Sequence, residues 1–292
     1  MKTNIEIPVT DLKNVLPGLS KIVSRKSSLP VLGCVKVTLA ADRALRIQAN
    51  NLDQIVTARL NKVFNGTPGE LLVPYDELSS MAKLCASTDV IELVVDGKET
   101  AITYPAAGTR ITKPVNHVGL EEFPPETVVT TEPIALDDAF KEALRQALDC
   151  ASVDEGRYIL TGACLDVSRK EAHYVVGTDG RHLFSANSFL FDIPQSVIVP
   201  PAKFLTWPGF MEDGPWTLRF LPPVKGTTKS QDQPGWIRLD SDHWTYVSKP
   251  IEAASLLTKL EMLTLKLHSG ATGPLKARQV TTSTHGVDTF YF

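Results

Sequence analysis

The sequence predicts an α+β protein built from two copies of one domain, each with about eight strands and two helices. Three observations predict it: an internal repeat, apolar residues at helical spacing near the start of each copy, and short alternating or β-branched runs after them. The chain has 292 residues, of which 43% are hydrophobic and 22% are charged. This is the composition of an ordinary globular protein with more than one domain.

The repeat places the first quarter of the chain over a later segment with a nearly constant offset. The offsets at three places are 129, 128 and 126 residues, and their agreement indicates that the first 250 residues are two copies of one unit. The matched segments are Gly33 with Gly162, Asn50–Leu52 with Thr178–Gly180, and ELLVPYDEL (70–78) with SVIVPPAKF (196–204).

Each copy opens with a short strand and an amphipathic helix. In the second copy, residues 136–150 (LDDAFKEALRQALDC) carry their apolar side chains on one face, and Asp137 is the expected N-cap. In the first copy the same period runs from Leu12 to Val23. The Pro-Gly pair at 17–18 should kink or break that helix, because proline lacks the amide hydrogen and clashes with the preceding turn.

Strands and a second helix follow in each copy. The second helix comes after a Val-Pro pair, and Pro74 and Pro200 both suit a first helical turn. Residues 119–133 are expected to be an extended linker, and the polar insertion at 221–235 a mobile loop. Two or three further strands should close each copy. The earlier strands are predicted at 31–39, 44–49 and 52–60, and at 159–167, 173–177 and 182–189.

Charge and cysteine content exclude several classes of protein. The net charge of −3 gives no overall attraction to nucleic acids or membranes, although it leaves room for a local basic surface. The cysteines lack metal-ligand spacing and are expected to be buried free thiols, so no metal or other cofactor is predicted. The cysteines are Cys34, Cys85, Cys150 and Cys164.

The N-terminus does not resemble a signal peptide, and no run reaches the roughly 20 apolar residues of a membrane span. We expect a cytoplasmic protein without a membrane partner.

Five segments closely resemble the bacterial DNA sliding clamp family, the beta subunit of DNA polymerase III. They are LPVLGCVKV, LVPYDELSSMAKL, GRYILTGACLDV, VVGTDGRHLF and SVIVPPAKF, in the family's order and spacing. The resemblance implies clamp domains at 1–122 and 123–250. It also implies a ring-shaped head-to-tail homodimer whose helices line a hole for duplex DNA. Such a protein is a processivity subunit for the replicative polymerase and performs no bond chemistry.

A clamp holds DNA through sequence-independent attraction to phosphates, so its pore helices should carry lysine and arginine. The resemblance implies DNA contact at Arg25, Arg157 and Tyr158, whereas Ile159 and Asp154 depart from the family pattern. Acids share the helix at 136–150, so a solvated charged face remains the alternative there. The predicted DNA-binding residues are Lys21, Arg25, Lys26, Lys141, Arg145, Arg157, Tyr158 and Lys203.

The family also docks short partner peptides, such as those of the polymerase and the clamp loader, in an apolar pocket. The resemblance implies that Leu160 and Leu183 form its walls, and that Gly180 lets the backbone approach a ligand closely. The family's usual His-Arg order is reversed here at positions 181 and 182. The residues carried over are Leu160, Thr178, Gly180, Arg181 and Leu183.

Two other interpretations of the segment GTDGRHLF (177–184) stay open. Asp179 and Gly180 supply the backbone angles of a hairpin turn and could serve only that purpose. As an enzyme, the protein could pair Asp179 with His182 or His243 as acid and base. No nucleophile, metal cluster or phosphate loop accompanies them in the sequence.

The last residues depart from the repeat. Residues 251–292 read as a partial third domain, or as one whose sequence is given incompletely, with a helix at 254–260, a strand at 263–267, a hairpin and a terminal strand. In the family, ring closure pairs the first copy with the partner's third copy, and a strand near Thr109 to Val115 would be the first copy's edge. A shortened, clamp-like interaction module that forms no closed ring is therefore the alternative function.

Overall fold

A computed structural model describes most of the chain as two compact units. The described residues are 2–106, 108–226, 232–252, 278–281 and 287–291. The first unit comprises Met1–Val128, Trp207–Asp213 and Asp240–Val247, and the second comprises Val129–Thr206, Gly214–Leu239 and Ser248–Phe292.

The first copy has eight strands and two helices, as predicted. One antiparallel sheet has the strand order β1-β6-β7-β8, and β5-β2-β3-β4 follow one another in a second antiparallel sheet. The strands are β1 (Lys2–Pro8), β2 (Cys34–Leu39), β3 (Leu45–Asn50), β4 (Gln54–Leu60), β5 (Gly69–Pro74), β6 (Val90–Asp96), β7 (Glu99–Ala106) and β8 (Thr109–Val115). The helices are α1 (Val9–Leu19) and α2 (Tyr75–Leu84).

The second copy repeats this arrangement. Its strands are β9 (Ile134–Leu136), β10 (Ala163–Asp166), β11 (His173–Thr178), β12 (His182–Phe189), β13 (Val197–Val199), β14 (Trp216–Leu221), β15 (Trp236–Asp240) and β16 (Trp244–Ser248). Its helices are α3 (Asp138–Cys150) and α4 (Pro208–Met211). The order β13-β10-β11-β12 matches β5-β2-β3-β4, and β9 pairs with β14 as β1 pairs with β6. The predicted α+β class and the repeat are confirmed.

The strand registers define the repeat more sharply than the sequence alignment does. Equivalent ladder pairs in the two copies differ by 128 residues in β2, β3 and β4, and by 126 residues in β5. The offset of 129 expected at Gly33 is therefore wrong by one residue, and Cys34 is the counterpart of Gly162. The equivalent pairs are Lys36–Gln48 with Cys164–Val176, Asn50–Ile55 with Thr178–Leu183, and Lys36–Leu72 with Cys164–Ile198.

The two long helices differ in how they begin and end. The first, α1, begins at Val9 after Pro8 and has no side-chain N-cap, so neither Thr10 nor Asp11 caps it. Asp137 is the N-cap of α3, where its Oδ1 accepts a hydrogen bond from the Phe140 amide at 2.8 Å, so that prediction is confirmed. The first-copy helix ends at Leu19, four residues earlier than its apolar pattern suggests. Pro17 lies in its last turn, where the missing amide hydrogen removes a helical bond and limits further extension.

Three boundaries differ from those predicted. The strands expected to start at 31 and 159 start later, because Pro30–Gly33 and Glu155–Leu160 form 3₁₀ turns first. The helix expected at Pro200 is absent there, and the four-residue α4 begins at Pro208 instead. Pro201 explains this difference, since a residue that precedes proline is disfavoured in the helical region.

The chain after Pro250 is described in part. Strands β17 (Arg278–Thr281) and β18 (Val287–Tyr291) form an antiparallel pair, and β18 also pairs with β12. The helix and strand predicted at 254–260 and 263–267 lie outside the described residues. Of the insertion at 221–235, residues 227–231 lie outside them too, and Val224 and Gln233 on either side form a backbone bridge.

Candidate functional site

Asp179 organises the turn between β11 and β12. Its Oδ1 accepts hydrogen bonds from the amides of Arg181 (2.7 Å) and His182 (2.6 Å), and its Oδ2 accepts one from His182 Nδ1 (2.9 Å). Partial burial by itself would raise the pKa of the Asp179 carboxyl, but these hydrogen bonds outweigh burial and hold the pKa well below its ordinary value. The carboxylate therefore stays ionised and serves the turn.

Thr178 and Gly180 complete the turn. The Thr178 hydroxyl donates to the carbonyl oxygen of His182 (2.5 Å) and accepts from the amide of Gly180 (3.0 Å). Gly180 has φ +88°, a region that favours glycine. The hairpin-turn interpretation thus accounts for the backbone of this segment, and it leaves Gly180 and Arg181 exposed at the tip.

Several of the residues predicted for the peptide pocket meet beside this turn. A methyl group built on Gly180 would lie 3.8 Å from Leu160 Cδ1 and 3.2 Å from Arg157 Nη1. Arg157 Nη1 donates to the carbonyl oxygen of Asp179 at 3.2 Å, which ties the 3₁₀ turn at 155–160 to the hairpin tip. Leu160 is half-buried, so part of its side chain remains accessible next to Gly180.

Leu183 lies deeper than a pocket wall at the surface would. It is 2% exposed and belongs to a cluster of buried apolar residues, with Ile159 packed against it. It is therefore a residue of the core rather than an accessible wall of the pocket. The other members of the cluster are Cys164, Tyr174, Val176, Ile198 and Ile251.

Ile251 is a residue of this region that the sequence analysis missed. Its amide donates to the carbonyl oxygen of Ile198 at 3.0 Å. The repeat contained the signal, because Phe123 lies 128 residues earlier and packs in the equivalent place, against Leu32 and Leu72. Each copy is thus followed by a linker residue that returns to the same two strands.

The predicted DNA-binding residues of the first copy are exposed. Lys21 and Lys26 have no ion pair within the described part of the chain. Arg25 lies 3.0 Å from a carboxylate oxygen of Asp76, and its guanidinium stands over the Tyr75 ring at 5.2 Å. Because both Arg25 and Asp76 are more than half exposed, this ion pair is weak and a phosphate could compete for the arginine.

Lys141, one of the predicted DNA-binding residues, is buried rather than exposed at the surface of α3. Its side chain is buried, where Nζ donates to the carbonyl oxygen of Gly214 (2.6 Å), pairs with Asp138 (2.8 Å) and lies over the Trp216 ring (5.7 Å). A buried charge is tolerated only when it is hydrogen-bonded, and the Gly214 carbonyl supplies that hydrogen bond to the ammonium. Lys141 is therefore unable to reach a phosphate from this position.

Arg145 is exposed, and it forms ion pairs with two neighbours on the same helix. It pairs with Glu142 at 2.6 Å and with Asp149 at 2.7 Å. Hydrogen bonding to Arg145 lowers the pKa of Glu142, and the same bond raises that of Arg145. The described surface of α3 is consequently a set of internal ion pairs, as the alternative of a solvated charged face predicted.

The remaining predicted DNA contacts are exposed in the second copy. Tyr158 is 59% exposed, and Lys203 is exposed without an ion pair among the described residues. Arg157 lies 3.7 Å from Asp154 in a mostly exposed pair. These side chains are accessible to a ligand.

The region gives little support to catalysis. Asp149, Cys150, Asp179 and His182 line one recess of about 360 Å³. Burial raises the pKa of the Cys150 thiol, and Asp179 raises it further, so the thiol is a poor nucleophile. Among the described residues, no three His, Cys, Asp or Glu side chains are placed to hold a metal ion.

Other thiols are similarly unreactive. Burial raises the pKa of the Cys34 thiol to about 11, and burial raises the pKa of the Cys85 thiol as well. Cys150 is only partly buried, unlike the other three cysteines, and all four are free thiols.

None of the helices in the described ranges combines the length and apolarity of a membrane span.

Comparison with solved structures identifies the fold. The chain is 21% identical to the sliding clamp (DNA polymerase III subunit beta) of Pseudomonas aeruginosa bound to griselimycin, covering 87% of this chain and 66% of that one with a TM-score of 0.66. It is 18% identical to the beta sliding clamp of C. crescentus (100% and 84% covered, TM-score 0.72). The beta subunit of the Streptococcus pyogenes DNA polymerase is 16% identical (99% and 83% covered, TM-score 0.70).

The likeness concerns structure more than sequence. No protein-family model matches the chain, and no curated protein matches its sequence. The chain spans just under two thirds of the length of the Pseudomonas aeruginosa clamp. The resemblance found in the five sequence segments is confirmed at the level of fold: the described part of this chain has the α+β fold of the DNA polymerase III beta subunit sliding clamps.

Proposed function

We propose that this protein is a DNA sliding clamp, which encircles duplex DNA as a ring of two chains, docks partner peptides and confers processivity on a DNA polymerase. The fold likeness supports the proposal, with the predicted clamp domains at 1–122, 123–250 and, in part, 251–292. The chain's role is to bind rather than to catalyse. Two observations support this view: the Asp179 carboxylate is held by hydrogen bonds within its turn, and burial raises the pKa of the Cys150 thiol.

The arrangement of strand edges is the observation that carries the proposal. In the first unit β16 lies beside β4, and in the second unit β18 lies beside β12, the counterpart of β4. By the repeat, β8 is the counterpart of β16, yet β8 ends its sheet. An open edge strand presents unpaired backbone groups, so β8 is suited to pair with a strand of a second chain.

The exposed cations support non-specific DNA binding. Lys21, Arg25 and Lys26 follow α1 in one cluster, and Arg157, Tyr158 and Lys203 are exposed in the second copy. We leave Lys141 out of the proposed surface because it is buried, and Arg145 because its partners neutralise it. Such a surface would attract phosphates without reading bases.

The turn at 177–184 supports peptide docking. Leu160 offers an accessible apolar surface and Gly180 allows close backbone approach, while the Thr178 hydroxyl holds the turn through its hydrogen bonds to His182 and Gly180. An extended peptide needs such a combination of an apolar anchor site and backbone hydrogen-bonding partners. Arg181 is exposed at the edge and suits an acidic group on the partner.

Topology-dependent retention on DNA tests the proposal. The full chain, loaded by a clamp loader onto nicked circular DNA, should remain bound through gel filtration and be lost when the circle is linearised. Dissociation at the same rate from circular and linear DNA would contradict the ring. A monomer in sedimentation that still binds a clamp-motif peptide would replace the ring with the shortened interaction module.

A further inference from the structure

A second cavity lies within the first unit, away from the turn at 177–184. Its volume is about 520 Å³, within the range of small-molecule sites in proteins. One face of α1 contributes Asp11, Asn14 and Val15, whose spacing of three and four residues places them on the same side of the helix. The end of β4 with residues 61–62, and segments at 207–213 and 243–244, supply the rest of the lining.

Each ionisable group of the lining already has an ion-pair or hydrogen-bond partner. Lys62 Nζ lies 2.7 Å from the Asp11 carboxylate, and His243 Nδ1 donates to Asp213 at 2.7 Å. Arg59 Nη1 pairs with Asp240 at 2.9 Å. A charged ligand would have to displace one of these partners, whereas a neutral ligand would leave all of them in place.

The apolar part of the lining is aromatic. The rings of Trp207 and Trp244 meet edge to face with centroids 5.4 Å apart. Gly18 and Gly209 make room for Trp207, since a methyl group on Gly18 would lie 2.6 Å from its ring and one on Gly209 would lie 2.4 Å away. Trp244 is buried and packs against Trp207, whose partly exposed indole offers a fixed aromatic surface to a flat ligand.

Two carboxamides at the rim supply hydrogen bonds. Asn14 and Asn61 are exposed, line the cavity and make no side-chain hydrogen bond to any described residue. A carboxamide presents a donor and an acceptor side by side, which matches a planar ring edge carrying the complementary pair. Nucleobases have such an edge and a flat aromatic face.

We propose that this cavity binds a neutral nucleobase, as a nucleoside or as an unpaired base of a nucleic acid, between the tryptophan pair and the two asparagines. The inference does not depend on ring formation or on peptide docking. Binding would be sensitive to the ring edge that the asparagines contact, and insensitive to charge.

Nucleoside titration of the full chain tests the proposal. Adenosine and cytidine serve as probes, with tryptophan fluorescence and saturation-transfer NMR as readouts. We expect Asn14→Ala and Asn61→Ala each to weaken binding by about two- to tenfold, the effect of losing one hydrogen bond. Asn116→Ala, an exposed asparagine outside the cavity, should leave the affinity unchanged. Because all three side chains are exposed, these variants should fold normally.

Three results would overturn the proposal. One is the absence of nucleoside binding at millimolar concentration. Another is equal affinity for the wild type and the Asn14→Ala, Asn61→Ala double variant. The third is tighter binding of a charged probe, such as arginine amide or acetate, than of either nucleoside. Loss of DNA retention in the ring experiment would not bear on this site, so the two proposals fail separately.

Discussion

At the scale of single residues, Asp179 shows how a carboxylate that looks catalytic serves structure instead. Its acceptors are used by two backbone amides and one imidazole of the same turn. Since these bonds favour the ionised form, the pKa of Asp179 is lower in the folded protein than in the unfolded chain. The contribution of this turn to folding stability therefore depends on pH.

The sign of that linkage gives the first prediction. A lowered pKa stabilises the fold above the unfolded value of about 3.9, and this contribution is lost as pH falls towards the folded value. Asp179→Asn should remove this dependence, so the variant should lose less stability than the wild type between neutral pH and about pH 3. Urea unfolding at both pH values measures the difference. Asp96→Asn, at an exposed position, is the control, and an acid response of Asp179→Asn equal to that of the wild type would contradict the assignment.

The exposed lysines after α1 give the second prediction. Lys21→Ala and Lys26→Ala should each weaken duplex binding equally for all sequences and reduce the salt slope by about 1, because one phosphate contact is lost. Fluorescence anisotropy between about 50 and 200 mM salt measures both quantities. Lys98→Ala, on the hairpin between β6 and β7, is the matched control. A salt slope that stays the same in both test variants would exclude this cluster from the DNA interface.

At the scale of elements, α3 is held at its start by a cap and along its length by close contact with β11. The cap gives the third prediction. Asp137→Ala should destabilise the protein by about 1 kcal/mol, since the Phe140 amide loses its acceptor. Asp137→Asn retains an acceptor and should cost much less. Chemical denaturation distinguishes them, and equal destabilisation by both variants would show that the charge, rather than the cap, matters.

The contact with β11 gives the fourth prediction. A methyl group on Gly177 would lie 1.9 Å from the carbonyl oxygen of Ala147, so the helix would have to move off the sheet. Gly177→Ala should cost about 1–3 kcal/mol or prevent folding. Gly33→Ala is the control, because the nearest atom to its methyl group would be 4.0 Å away. Similar unfolding midpoints for the two variants would refute the tight helix–strand contact.

The elements also show what the sequence could predict. The Asp137 cap and the ion pairs of Arg145 join residues three or four apart, so local spacing predicts them. The burial of Lys141 depends on Gly214, 73 residues away, and a pattern within one helix carries no sign of it. The family resemblance predicted that Leu160 and Gly180 belong to one site. The place of Ile251 could be predicted only with the exact register of the repeat, which aligns it with Phe123.

At the scale of the whole molecule, the repeat decides which edges are used and which are open. Strands of the β4 type, β4 and β12, are each flanked by a strand from later in the chain. The edge strand β8 has four consecutive exposed residues, Thr109 to Thr112, and Ile111 is 40% exposed. An apolar side chain on an open edge favours pairing with another strand.

This edge gives the last prediction. If β8 pairs with a second chain, Ile111→Asp should reduce the dimer fraction at least about tenfold, because an unpaired charge would be buried at the contact. Val63→Asp is the matched control: Val63 is 79% exposed and lies outside β8, so dimerisation should be unaffected. Sedimentation velocity measures the dimer, and retention on nicked circular DNA should fall with it. An intact dimer in the Ile111→Asp variant would mean that the chains associate through another surface, and β8 would then have no role in closing a ring.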